Sequence, residues 1–466
     1  MSEIDKQAET VAETEIVEQG VHNFSGAHDW VKPKDPLLLE RLEWFQDQKL
    51  ALMMHWGPYS QIGIVESWAL SDDDSDWSRH DVHWTEDMEQ FKREYFDLNK
   101  TFNPIRFEPE VWADLAAENG FKYFIFTTKH HDGFCMWDTA TTDYKITHKD
   151  TPFHQHKYAD VTKHLFDAFR DKGLAIAAYF SKADWHTPYY WAKGMERGNH
   201  MWRGPSYDPK EYPWLWEQFI DFTHDQMMEL LTKYGRIDML WLDAGWVRDG
   251  GKVPQDIRLG ELVERARKEQ PWLLSVDRTV GGPYENYVTP EQTIPDEAMD
   301  IPWESCITIG RSFAFHYDED FKSLRELVTI LVEVVAKGGN LALNIAPQPD
   351  GRLPRKAVER IKEFGSWLNT YGEAIYGTRI CAPYFTNQYA FTKKGSTVYS
   401  FYLYEEEQQV ASELHLPYTG DVTTVELVGQ AGELQWERTA EGIKVTIPEQ
   451  ELSETPIAHV FRMQTI

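Results

Sequence analysis

Clusters of carboxylates, imidazoles, indoles and one guanidinium recur along this chain, each at the end of an apolar run. Leu50–His55 leads into His55-Trp56-Gly57-Pro58-Tyr59-Ser60, and then into Glu66-Ser67-Trp68. Phe121–Thr128 leads into Lys129-His130-His131-Asp132-Gly133-Phe134. Tyr179 closes Leu174–Phe180, ahead of Asp184-Trp185-His186. Ile237–Leu242, which carries Trp241, ends in Asp243-Ala244-Gly245-Trp246, and Leu273–Val276 ends in Asp277-Arg278. This inventory suits a polyhydroxylated neutral ligand. Indoles stack on the apolar face of a ring, imidazoles and carboxylates bond its hydroxyls, and carboxyl groups supply acid, base or nucleophile.

Asp243 is the nucleophile candidate. An Asp after a strand commonly caps the next helix. Here Gly245, Trp246 and a Gly-Gly turn intervene, and the next helix is expected only from about Ile257. The carboxylate is therefore free at the strand end beside Trp241. Adjacent His130 and His131 raise the question of a metal. Neighbouring residues on an extended segment point to opposite sides, so no metal is expected, and hydrogen bonding to hydroxyls is, with a packed core role open for one of the two. A second carboxyl is available from the stretch 281–304, which holds Glu285, Glu291, Asp296, Glu297, Asp300 and Glu304.

The elements that must hold these groups follow one scheme of helix, glycine, apolar strand and polar-aromatic loop. Helices are predicted over Pro109–Asn119, from Asp160 through Lys172, over Trp214–Tyr234, from Asp256 to Pro271 and over Leu324–Lys337. Strands follow four of them at Phe121–Thr128, Leu174–Phe180, Ile237–Leu242 and Leu341–Ile345, with Leu50–His55 first and Leu273–Val276 after the helix from Asp256. Unbroken apolar strands are buried on both faces and parallel. The fold class is thus α/β, a (β/α) TIM-like barrel over residues 24–374 after a disordered leader, 1–23. Short alternating runs over 375–466 predict an antiparallel C-terminal β domain with a packing role.

The chain has 466 residues and a formal net charge of −29, from 47 Lys and Arg against 76 Asp and Glu. Nucleic acid and acidic membranes are poor partners, because phosphate binding needs a basic stripe. No run approaches the 18 or so apolar residues of a membrane span. Three cysteines without a C-x-x-C spacing read as free thiols. The polar first twenty residues offer no apolar signal segment, so a soluble cytoplasmic protein is expected.

The motifs His55–Ser60, Thr128–Phe134, Trp241-Leu242-Asp243, Trp303-Glu304-Ser305-Cys306 and Asn344-Ile345-Ala346-Pro347 with Pro349-Asp350-Gly351 occur in an order that resembles the α-L-fucosidases of glycoside hydrolase family 29, over about residues 36–375. The resemblance implies a retaining exo-glycosidase that needs neither metal nor organic cofactor, with a catalytic barrel and a C-terminal β-sandwich. Its nucleophile falls on Asp243. Its acid/base falls on Glu291 in Thr289-Pro290-Glu291-Gln292, with Glu304 as the competing position. His55, His130 and His131 resemble the histidines that bind sugar hydroxyls. Glu66 and Trp68 resemble the acidic–aromatic pair gripping the axial O4 side, although Ser67 separates them here. Tyr179, Trp241 and Arg278 match positions around the anomeric centre, and Phe313 matches the contact to the C5 methyl. The implied partner is a fucosylated oligosaccharide or glycoside. The rival readings are a related α-L-glycosidase or transfucosidase, and a fucose-binding barrel without catalysis. Homo-oligomerisation is left open.

Overall fold

The computed structural model describes residues 29–466 except 73, 80–81, 83, 196–202, 251–252, 387 and 453–455; the expected leader, 1–23, lies outside the described residues. Seven parallel strands form one sheet: β1 (Leu50–Met54), β2 (Tyr123–Lys129), β3 (Ala175–Ser181), β4 (Met239–Asp243), β5 (Leu274–Asp277), β6 (Glu304–Thr308) and β7 (Asn340–Asn344), in the order β5-β4-β3-β2-β1-β7-β6. Alternate residues of each strand enter separate cores. Ala51, Met53, Tyr123, Ile125, Met239 and Trp241 fill the barrel interior. Leu50, Leu52, Phe124, Phe126, Leu240 and Leu242 pack outward under the helices. Both faces are buried, which explains the unbroken apolar runs.

The sheet closes without a helix between β5 and β6. Extended backbone from Tyr284 to Gln292 bonds first to β5, through Asp277 N–H to the Tyr284 carbonyl (3.1 Å) and Asn286 N–H to the Ser275 carbonyl (2.9 Å). It then bonds to β6, through Glu304 N–H to the Val288 carbonyl (2.9 Å) and Gln292 N–H to the Cys306 carbonyl (2.9 Å). Its bridges are antiparallel to β5 and parallel to β6. This irregular stave completes the (β/α) barrel and carries Glu291. The helix Pro36–Gln48 plugs the opposite mouth with Leu38, Leu42 and Phe45, and Phe45 stacks on Tyr287 at 4.0 Å.

Local signals set the helix starts. Asp160 caps Val161–Asp171 by accepting from Lys163 N–H, and Ser323 with Glu326 makes a capping box for Leu324–Ala336. The helix expected from Asp256 instead spans Leu259–Glu269, because Asp256 accepts from Arg258 N–H (2.7 Å) in a turn ahead of the helix.

The C-terminal part is a sandwich of two antiparallel sheets around its own apolar cluster. Five strands lie in one sheet, β8 (Arg379–Thr386), β9 (Tyr389–Lys394), β10 (Thr397–Leu403), β12 (Val422–Leu427) and β15 (Ala458–Thr465), and three in the other, β11 (Glu413–Leu416), β13 (Trp436–Thr439) and β14 (Gly442–Thr446). It is tied to the barrel by Arg325 Nη1 donating to the Tyr404 carbonyl (2.6 Å) and Thr392 Oγ1 to the Ala374 carbonyl (2.8 Å).

Candidate active site

Active groups of such barrels hang from the C-terminal strand ends, and there a small pocket opens. Ten of the twelve residues singled out above line it: His55, Glu66, Trp68, His130, Tyr179, Trp241, Asp243, Arg278, Glu291 and Phe313. Met53 and Cys306, which were not anticipated, complete the lining. His131 and Glu304 stand directly behind it.

Asp243 is the last residue of β4. Its Oδ1 accepts from Arg278 Nη1 (2.9 Å) and its Oδ2 from the Tyr179 hydroxyl. Burial alone would raise this carboxyl, but the Arg278 charge, the neighbouring histidines and the Tyr179 bond together hold it well below the usual carboxylate range. Arg278 Nη2 reaches on to Glu291 Oε2 at 2.5 Å, so one guanidinium joins both carboxyls. Its plane also lies over Trp241, 4.5 Å from the ring centre. Burial works against the Arg278 charge, but its two carboxylate partners more than restore it.

Glu304 is fully buried inside the barrel. Its Oε1 accepts from Trp241 Nε1 (3.0 Å) and its Oε2 from the Tyr123 hydroxyl. Burial pushes it up to about 7 against those bonds. Both oxygens are occupied, one by Trp241 and one by Tyr123, and Glu304 does not line the pocket.

The histidines overturn one expectation. Their rings are 4.2 Å apart rather than on opposite sides, because β2 ends at Lys129 and strand alternation no longer governs the turn that follows. His131 Nδ1 lies 2.5 Å from Ser181 Oγ, which itself donates to the Ala183 carbonyl, so Ser181 accepts the Nδ1 proton. Its Nε2 is then turned to Asp243 Oδ2 at 3.7 Å. His55 Nδ1 donates to Asn344 Oδ1 (2.9 Å), whose amide orientation is set by Nδ2 donating to the Phe313 carbonyl (2.8 Å). Burial lowers His55 to about 4. It is neutral at pH 7 and presents an acceptor Nε2.

Donor atoms of His130, His131 and Asp243 lie within 4.8 Å of one another, the spacing of a potential metal site. Asp243 is already committed to a phenol and a guanidinium, and the Arg278 cation repels a second cation at the same carboxylate. Incubation with EDTA is expected to leave unchanged the fucoside hydrolysis that the sequence resemblance implies. Loss of activity that returns with Zn²⁺ would contradict the role given to these histidines.

Ser67, which interrupts the acidic–aromatic pair, has a use. Glu66 adopts φ 34°, which lets Glu66 and Trp68 both line the pocket while Ser67 Oγ meets His130 Nδ1 at 2.6 Å. Burial, and the charges of Glu291 and Asp243, push Glu66 up to about 8 despite a bond from Ala314 N–H. A carboxyl raised on folding from 4.5 keeps a proton that the unfolded chain loses, so stability falls as pH rises from about 4.5 to 8. Glu66→Gln, which copies the protonated form, should therefore be more stable than the parent at pH 8 by about 4 kcal/mol. The advantage should vanish at pH 4 in thermal melts. A constant difference across that range would contradict it.

Asn344 and Ser181 were not recognised as site residues, although Asn344 stands in a quoted motif. Their signal is an uncharged polar side chain at the C-terminal end of an apolar strand.

A parallel barrel with two carboxyls joined by one arginine, in a small pocket of histidines and aromatics, defines a glycoside hydrolase. The α-L-fucosidase model matches residues 29–373, and the α-L-fucosidase C-terminal domain model matches residues 383–464. The chain belongs to the α-L-fucosidase family, whose activity is the exo-hydrolysis of terminal α-L-fucosides. It is 28% identical to the tissue alpha-L-fucosidase of Homo sapiens over 440 residues, covering 89% of this chain and 86% of the relative. Among solved structures it resembles alpha-L-fucosidase isoenzyme 1 from Paenibacillus thiaminolyticus (28% identity, TM-score 0.72, 92% of this chain and 100% of that one). It also resembles the Thermotoga maritima alpha-fucosidase in complex with fucose (26% identity, TM-score 0.72, 93% and 100%).

Proposed function

We propose that hydrolysis proceeds with retention through a fucosyl ester on Asp243, with Glu291 as acid and then base. The observation that carries this reading is the shared guanidinium, with Asp243 and Glu291 each hydrogen-bonded to one Nη of Arg278. Double displacement needs two carboxyls close together across the anomeric carbon, about 5–5.5 Å apart, and a shared guanidinium supports such a close pair.

The reacting form is the one in which Glu291 carries a proton on Oε1 while its Oε2 stays on Arg278. Asp243 attacks the anomeric carbon from the strand end as Glu291 gives that proton to the departing oxygen. The Asp243 charge is consumed in the ester as Glu291 becomes a carboxylate, so the Arg278 cation has an anionic partner on both sides of the step. Glu291 then takes a proton from water, which opens the ester. His55, His130, Glu66 and Trp68 bind the ring hydroxyls. Phe313, packed 4.9 Å from His55, faces the C5 methyl. Burying one methyl is worth only about 0.8 kcal/mol, so slow turnover of L-galactosides is expected. The natural partner is a fucosylated oligosaccharide or glycoside. The unpaired, buried Cys135, Cys306 and Cys381 support placing the enzyme in the cytoplasm.

Proton NMR of an aryl α-L-fucoside digest tests the proposal. The first sugar released should be α-L-fucose, which later mutarotates. Initial release of the β anomer would replace the ester with direct attack by water.

A further inference from the structure

Arg203 lies outside the sugar pocket, yet three rim loops converge on it. Its Nε and Nη2 donate to Asp74 Oδ2 and Oδ1, both at 2.9 Å, and both side chains are buried. The paired guanidinium lies over the Trp68 ring, 4.4 Å from its centre, and 5.7 Å from that of Trp246. Asp74 and Trp68 belong to the loop after β1, Arg203 to the loop after β3, and Trp246 to the loop after β4. The Arg203 carbonyl in turn accepts from Trp185 Nε1 (3.0 Å) and the Tyr190 hydroxyl (3.2 Å). Other edges of Trp68 meet His131 at 4.7 Å and Trp185 at 5.9 Å. A buried cation is tolerated only when paired and hydrogen-bonded. Here the pairing is two-pronged, which fixes the guanidinium plane as well as its charge. The plane is parked on a ring that lines the pocket.

We infer that Arg203, oriented by Asp74, is a positioning residue that holds Trp68 against the bound sugar and so sets the affinity of the pocket. The inference rests on Trp68 lining the fucose site. Neither member of the ion pair touches the reacting atoms, and both act through the indole.

Removing only one partner would strand a buried charge, so the test uses the doubly neutral variant Asp74→Asn/Arg203→Gln. Its kcat/KM on an aryl α-L-fucoside should fall about ten-fold, through KM rather than kcat, the pattern of lost ground-state binding. The inhibition constant of an iminocyclitol should rise by a similar factor. The decisive measurement is a cycle with Trp68→Ala: in that background the same double replacement should change kcat/KM by less than about two-fold, because its target is gone. Independent ten-fold effects that multiply, or an intact KM with only a lowered melting temperature, would overturn the positioning role. A Trp68→Ala enzyme with unaltered KM would instead remove Trp68 from the sugar site, and this inference with it.

Discussion

Asp243→Gly is expected to lose at least about 10⁴-fold in kcat on aryl α-L-fucosides, equivalent to roughly 5 kcal/mol of transition-state stabilisation. The fold should survive. The Asp243 carbonyl still accepts from Lys182 N–H (3.2 Å), the β3–β4 register does not depend on the side chain, and Arg278 keeps Glu291 as partner. The space vacated by the carboxylate lies against Tyr179 and Arg278, a donor pair suited to a small anion. Added azide should therefore restore part of the turnover and give the β-fucosyl azide, of inverted configuration. A variant that keeps more than a tenth of parent activity would remove Asp243 from the nucleophile role.

The second large effect separates Glu291 from Glu304. A general acid contributes about 10²–10⁴-fold, but only where the departing oxygen needs its proton. Glu291→Ala should cripple hydrolysis of fucosylated oligosaccharides, whose leaving group is an alkoxide. It should spare the first turnover on nitrophenyl fucoside, whose leaving group departs unaided. Burst kinetics isolates that first turnover from the slowed second step, in which the same residue is the base. Glu304→Ala should act differently. It leaves the Trp241 indole and the Tyr123 hydroxyl without their buried acceptor, a loss of about 1–3 kcal/mol for each group. Activity on both substrates should drop by one common factor, with a lower melting temperature. Leaving-group dependence in Glu304→Ala, and none in Glu291→Ala, would transfer the acid role.

The barrel was legible because burial on both faces writes itself as apolar runs. The strand ends were read to within one residue: β2, β3, β4 and β5 each continue one residue beyond the run that marked them, to Lys129, Ser181, Asp243 and Asp277, whereas β1 and β7 stop one residue before the end read for them, at Met54 and Asn344. Hydropathy follows side chains, whereas the ladder is made by backbone, and the reacting groups begin where the two part company. Pocket residues could be named because they cluster at those ends. What escaped was orientation. Nothing in the order of residues states that His130 and His131 share a side, that Glu304 points inward to Trp241, or that Ser67 is spent on an imidazole. The closing stave was hidden for a related reason. It follows Pro283, contains Pro290, Glu285 and Glu291, and pairs in opposite senses with its two neighbours, so it shows neither strand nor helix periodicity.

That stave gives the two carboxyls unequal anchorage. Asp243 is rooted in a ladder flanked by β3 and β5, where a one-residue insertion would turn every side chain to the other face. Glu291 rides on an irregular span, Tyr284 to Gln292, held to β5 and β6 by isolated bridges rather than by a continuous ladder. On the proposed roles, descent with modification can move the proton donor more readily than the attacking group. An engineer who wishes to change how the leaving sugar is met should cut and graft between Arg278 and Trp303, and leave the rest of the barrel alone.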